Sequence, residues 1–153
     1  MTEKRILIFG AGYSGRAFAR TRRDGEHILG TTRSPDNFPA LRAAGIEPLL
    51  FDGFAVSPVL AGAIGEATHV VVSAAPGDHG DPVLAACGDA LRRSAPDLAW
   101  IGYLSTVGVY GDHDGAWVDE EAECRPTSRR SVARVSAERE WQAFGRELGV
   151  PVA

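Results

Sequence analysis

Lysine is almost missing from this chain: of the 16 basic residues among its 153, only Lys4 is a lysine and the others are arginine. Cysteine is scarce too. Cys87 and Cys124 stand in no CxxC or CxxH spacing, which excludes a zinc-ligand set or a disulfide framework and leaves core or surface thiols. No apolar run approaches the ~20 residues that a membrane-crossing helix needs. The opening MTEKRILIFG lacks the apolar stretch and small-residue cleavage site of a secretory signal, so a cytoplasmic location is the default expectation. Basic residues are outnumbered by 20 acidic ones, giving a net charge of −4 that argues against a generic nucleic-acid binder.

What is present suits one globular domain spanning 1–153, with 44% apolar and 24% charged residues and therefore enough material for a core. Arg5 to Phe9 is a short apolar run, and Gly10 to Gly15 leads into a helical segment with Ala17, Phe18 and Ala19 as core contacts and Gly25 as its C-terminal cap. Further strands are expected at His27–Thr32, Glu47–Phe51, His69–Ala74 and Leu98–Thr106. Helices are expected at Asn37–Ala44, Pro58–Ile64, Val83–Arg93 behind an Asp81-Pro82 cap, and Arg129–Leu148 before Gly149 and Pro151. Strands alternating with helices through short links predict an α/β fold, a doubly wound parallel sheet of five strands whose ligands lie at the strands' carboxyl ends.

Gly10-Ala11-Gly12-Tyr13-Ser14-Gly15 is G-x-G-x-x-G, and it follows a strand and opens a helix within a unit of about 30 residues, the context in which the motif binds dinucleotides. Gly10 permits the tight turn, Gly12 lets backbone approach the pyrophosphate, and Gly15 lets helix pack on strand. The helix N-terminus, at Tyr13 and Ser14, adds N–H groups for the anion. An NAD site carries Asp or Glu about 20 residues after the glycines. Here Thr31-Thr32-Arg33-Ser34 stands there instead. An acid would repel a 2′-phosphate, whereas Arg33 can pair with it and Thr32 or Ser34 can add hydroxyls, so NADP(H) is expected over NAD(H).

With Asp52 after the third strand, Ser73-Ala74-Ala75 after the fourth and Leu104-Ser105-Thr106-Val107-Gly108-Val109-Tyr110-Gly111 after the fifth, the chain resembles the extended and atypical branches of the short-chain dehydrogenase/reductase superfamily, the NAD(P)-dependent epimerase/dehydratase group. Glu120 or Glu121 with Pro126 resembles the E…P that follows in that family. The resemblance implies a Rossmann fold in which Asp52 caps the adenine amino group, Ser73, Ala74 and Ala75 lie along the cofactor, and Thr106, with Ser105 beside it, meets the substrate oxygen. A strand-end threonine can equally bond its own backbone.

The family's proton-moving tyrosine, with a lysine four residues on, is missing. Tyr13, Tyr103 and Tyr110 are followed at that spacing by Ala17, Val107 and Asp114. Alignment through Ala137-Glu138 puts Arg130 at the tyrosine position and Arg134 at the lysine position. Arg134 can keep the lysine's ribose and electrostatic roles; Arg130 cannot replace a tyrosine, because a guanidinium does not deprotonate near neutral pH. The two arginines either clamp an anion or form an exposed ladder with Glu138. Tyr110, Asp112, His113 and Asp119 are other proton-transfer candidates, His113 having the most suitable intrinsic pKa. Asp112-His113-Asp114 cannot easily face one metal ion, and none is expected. Trp100, Trp117 and Trp141 read as packing residues.

Together these features imply an oxidoreductase or epimerase/dehydratase type of enzyme with an altered catalytic dyad, acting on a small molecule resembling a nucleotide sugar. The other reading is a non-catalytic NADP(H)-binding sensor. A homodimer is left open, and neither nucleic acid nor membrane is expected as a partner. The resemblance also implies a sixth strand beginning near Val150-Pro151-Val152-Ala153 and a substrate-binding part beyond it, so the polypeptide is expected to be a shortened one.

Overall fold

A computed structural model describes residues 4–153. Met1 to Glu3, part of the expected domain and of the opening lead-in, lie outside the described residues. The strands are β1 (Lys4–Phe9), β2 (Glu26–Thr32), β3 (Glu47–Leu50), β4 (His69–Val72) and β5 (Trp100–Tyr103). The helices are α1 (Tyr13–Ala19), α2 (Phe38–Ala43), α3 (Pro58–Glu66), α4 (Pro82–Ser94) and α5 (Arg129–Leu148). All five strands run parallel in the order β3-β2-β1-β4-β5. The chain therefore reverses its direction of travel across the sheet at β1, and a crevice opens between the carboxyl ends of β1 and β4.

Alternation along the strands builds a core on each face. Leu7, Phe9, Val70, Val72 and Ile101 point to the face covered by α3, α4 and α5, where Trp141 is fully buried. Ile6, Ile8, Ile28 and Val71 point to the face covered by α1 and α2. Val70, Val71 and Val72 are all buried, so β4 is covered on both faces.

Several local expectations need correction. Helix α1 stops at Ala19, so Gly25 (φ 84) serves the turn into β2 rather than the helix cap. Of the three proposed core contacts only Ala19 is buried; Ala17 and Phe18 face solvent. The fifth strand is shorter than Leu98–Thr106, because Leu104 makes the last pairing bond, to the Val72 carbonyl (2.8 Å), and the Thr106 hydroxyl then caps a 3₁₀ turn over Val107–Val109. Trp117 is not a packing residue: it is fully exposed. The edge beyond β5 is occupied by residues 150–153, where the Ile101 amide donates to the Pro151 carbonyl (3.0 Å) and the Tyr103 amide to that of Ala153 (2.8 Å).

Candidate functional site

A cleft of about 920 Å³ lies over the crevice between β1 and β4. Gly10, Gly12, Thr32, Arg33, Ser34, Asp52, Ser73, Ala74 and Ala75 line it, so the structure gathers most of the cofactor-binding candidates into one place. Tyr13, Ser14 and Gly15 do not line it. Gly15 packs helix on strand: a Cβ there would sit 3.2 Å from Ile8 Cγ2.

The glycine turn is shaped by close approach. Gly10 has φ 80, and a Cβ on it would lie 2.9 Å from the Ala74 amide nitrogen, so a side chain there is excluded by both strain and space. At Gly12 a Cβ would meet only the Gly10 carbonyl oxygen, at 3.9 Å, leaving the backbone open to a ligand. The turn is held by a residue whose role the sequence did not announce. The buried Thr31 accepts the Gly10 amide on Oγ1 (2.9 Å) and the Ala11 amide on its carbonyl (2.8 Å). A signal existed in its place at the end of a buried strand, where a threonine hydroxyl needs a partner. Helix α1 has only seven residues. Its dipole is correspondingly weak, and the cleft's positive charge comes from Arg16 and Arg33.

The loop after β2 is internally braced. Thr32 Oγ1 accepts from Asn37 Nδ2 (2.9 Å), and Ser34 Oγ accepts from the Asp36 amide (3.2 Å). Arg33, between them, is exposed and forms no hydrogen bond or ion pair with the described residues. Asp52 Oδ1 accepts the amides of Phe54 (2.8 Å) and Ala55 (3.0 Å), which hold its carboxyl below the usual carboxylate range and keep it ionised. The loop after β4 adds Asp78 and His79 to the cleft, and Asp78 pairs with Arg129 at the start of α5 (3.0 Å).

The catalytic candidates stand apart from this lining. Ser105 and Thr106 are exposed beyond β5, and Thr106 Oγ1 accepts the Gly108 amide (3.3 Å), the local backbone bond that was the alternative for this residue. That bond leaves the hydroxyl proton free to donate. Arg134 Nη1 donates to the Leu104 carbonyl (2.8 Å) and to Tyr103 Oη (3.4 Å), with the guanidinium 5.6 Å from the tyrosine ring centroid. An exposed ladder with Glu138 does not form, because Arg134 is half-buried and turned toward β5. Arg130 is exposed and without such contacts.

Three other groups near the end of β5 are held by burial or local contacts. Burial pushes the Tyr103 phenol up to about 12, with Arg134 opposing that rise. His113 Nε2 lies 2.9 Å from the Tyr110 carbonyl oxygen and is engaged there. Asp112 Oδ1 accepts the Asp114 amide (2.8 Å) within the same loop. Among the described residues no group of three or more His, Cys, Asp and Glu side chains is placed to hold a metal ion, and no helix is long and apolar enough to cross a membrane.

No protein-family model matches the chain, and no curated protein does. Solved structures do. A conserved protein of unknown function from Silicibacter pomeroyi DSS is 46% identical, with a TM-score of 0.83 over 96% of this chain and 49% of that one. UDP-glucuronic acid 4-epimerase from Bacillus cereus, in complex with UDP-glucuronic acid and NAD, is 21% identical with a TM-score of 0.71, over 97% of this chain and 54% of that one. dTDP-glucose 4,6-dehydratase from Bacillus anthracis, in complex with NAD, is 19% identical with a TM-score of 0.73, over 97% and 53%. These likenesses establish a Rossmann-like α/β fold. The chain spans about half the length of the structures it matches.

Proposed function

We propose that the chain binds NADP(H) across the crevice and belongs to the extended and atypical short-chain dehydrogenase/reductase group, as an oxidoreductase or epimerase/dehydratase type of enzyme. The carrying observation is that an unobstructed glycine turn and an unpaired arginine line the same cleft. The Gly12 backbone suits the pyrophosphate, since no side chain stands in front of it. Arg33 suits a 2′-phosphate through charge-assisted bonds, and Ser34 can still donate its hydroxyl proton while its oxygen caps the turn. Two neighbours of the same fold, the epimerase and the dehydratase, are complexes with NAD, which supports the class of cofactor.

When bound, the nicotinamide supplies the accepting and donating of hydride. This chain's part is to hold and polarise. Thr106 donates its free proton to a substrate oxygen, with Ser105 adjacent. Arg134, fixed over the carboxyl end of β5, supplies the positive charge that a lysine gives in the resembled family. Arg130 moves no proton near neutral pH and serves to attract an anion. The substrate class that fits the neighbours is a nucleotide-sugar-like small molecule. The second reading, a non-catalytic NADP(H) sensor, is favoured by Arg130 at the tyrosine position and by the lack of any tyrosine with a lysine four residues on.

Titration of the parent and of Arg33→Ala with NADPH and NADH tests the cofactor. NADPH should bind more tightly to the parent, and loss of Arg33 should weaken it by about tenfold or more while sparing NADH. Equal affinities in the parent, with both unchanged in Arg33→Ala, would show the assignment to be wrong. Hydride exchange across ketones, aldehydes and nucleotide sugars then separates the readings: turnover supports the enzyme, and tight binding without turnover supports the sensor.

A further inference from the structure

Among the large apolar side chains of the cleft, Leu41 and Phe51 are buried in the protein, whereas Phe54 is 86% exposed. An isolated exposed apolar residue needs no special account, and Tyr13 and Trp117 are exposed elsewhere on the surface. Phe54 differs in being presented to a cavity by a constrained backbone. Gly53, at φ 96, turns the chain after β3, and Asp52 Oδ1 holds the Phe54 and Ala55 amides in a closed Asx turn. The ring is thus free of protein contacts on most of its surface while its attachment point is fixed.

Its neighbours indicate what it meets. β2 and β3 are paired in register, Thr32 opposite Leu50, so the loops carrying Arg33 and Phe54 leave the sheet side by side. In an adenosine 2′-phosphate the phosphate and the base are attached to adjacent ribose carbons. A cation on one loop and an aromatic ring on the next match that pair of groups.

We propose that Phe54 is the stacking platform for the adenine ring of the dinucleotide, and so an affinity-determining residue for its adenosine half. This rests on the NADP(H) reading and adds to it a side chain with no other assignment. Every purine face is apolar and polarisable, and stacking removes both it and the phenyl ring from water. Asp52, on the same turn, is left with its Oδ2 for the exocyclic amine.

The test uses the whole chain and two probes, NADPH and 2′,5′-ADP, the latter lacking the nicotinamide half. Phe54→Ala should weaken both by about tenfold, since stacked bases are worth that much to alanine substitution. Phe54→Trp should retain affinity, and the emission it adds to the parent's should be quenched by either probe. Parent-like binding by Phe54→Ala overturns the proposal. So does equal weakening in Phe54→Ala and Phe54→Trp without quenching, which would mean that only the shape of the turn matters. If neither probe binds the parent, the cofactor assignment itself fails, an outcome distinct from loss of the stacking contact alone.

Discussion

The Gly10 amide donates to Thr31 Oγ1 at 2.9 Å, joining the end of β1 to the end of β2 through a side chain that is 2% exposed. The Ala11 amide adds a bond to the carbonyl of the same residue, so one threonine supports two consecutive amides of the turn. The turn that lines the cleft is therefore preorganised from the neighbouring strand as well as by its own bond from the Gly12 amide to the Gly10 carbonyl (2.7 Å).

Thr31→Val should cost about 1–3 kcal/mol of stability, because valine keeps the volume but leaves the half-buried Gly10 amide without its acceptor. Urea denaturation should show a lowered midpoint with an unchanged slope, and Thr31→Ser should recover most of the loss. Equal stability in the valine variant would show that the bond contributes nothing.

Asp81 gives a pH dependence with a defined sign. Burial raises its carboxyl above the ordinary value, opposed by the Leu84 amide, the Trp141 indole and the Val83 amide, while Glu140 adds to the rise. Its Oδ1 caps α4 at Val83 (2.9 Å) and Leu84 (3.0 Å); its Oδ2 and the indole nitrogen of Trp141 are both buried and lie near each other outside hydrogen-bond geometry, so the indole N–H favours the ionised carboxyl without forming a full bond to it. A carboxyl raised on folding contributes stability that is full below its unfolded pKa of about 4 and is lost as pH rises through the native value. Asp81→Asn, which keeps a capping oxygen, should lose less stability than the parent over that interval. Asp81→Ala should be weaker than the parent by about 1 kcal/mol at neutral pH through loss of the cap. Parallel pH profiles for the parent and Asp81→Asn would refute the assignment.

The two thiols should differ sharply toward a thiol reagent. Cys87 is buried in the core beneath α4, and burial first, with Asp81 second, pushes its thiol up to about 12. Cys124 is half-buried in the loop before α5. One thiol per chain should label in the native protein and two after denaturation, and Cys124→Ser should abolish the fast phase. Fast labelling that survives in Cys124→Ser would contradict the burial of Cys87.

The sheet and most helices were legible because their signals are local: apolar runs bounded by turn residues, a Ser or Asp cap, a glycine stop. The limits of α5, Arg129 and Leu148 before the Gly149 stop, follow from such punctuation, whereas its Ser128 cap emerges in the structure. Where the reading missed, a tertiary partner decided. Phe18 faces solvent because α1 lies on the sheet through Gly15 and Ala19, a narrow stripe that leaves no room for a larger contact. Thr31 and Phe54 were not singled out, since one depends on a bond between strands and the other on which loops lie together. Arg134 could be placed on its helix by spacing, but its bond to the Leu104 carbonyl depends on how α5 crosses β5.

The place of β1 in the sheet bears on how the molecule is made. Leu7 is paired with Leu29 on one side and with Val70 on the other. During synthesis the first of these partners emerges soon after β1, and the second only once α1, β2, α2, β3 and α3 have all left the ribosome. Until then the strand destined for the centre carries an open edge of unpaired amides beside apolar side chains, the combination that invites pairing with another chain. Until residues 69–72 appear, a nascent copy of this protein keeps that edge of β1 open to pairing with another chain.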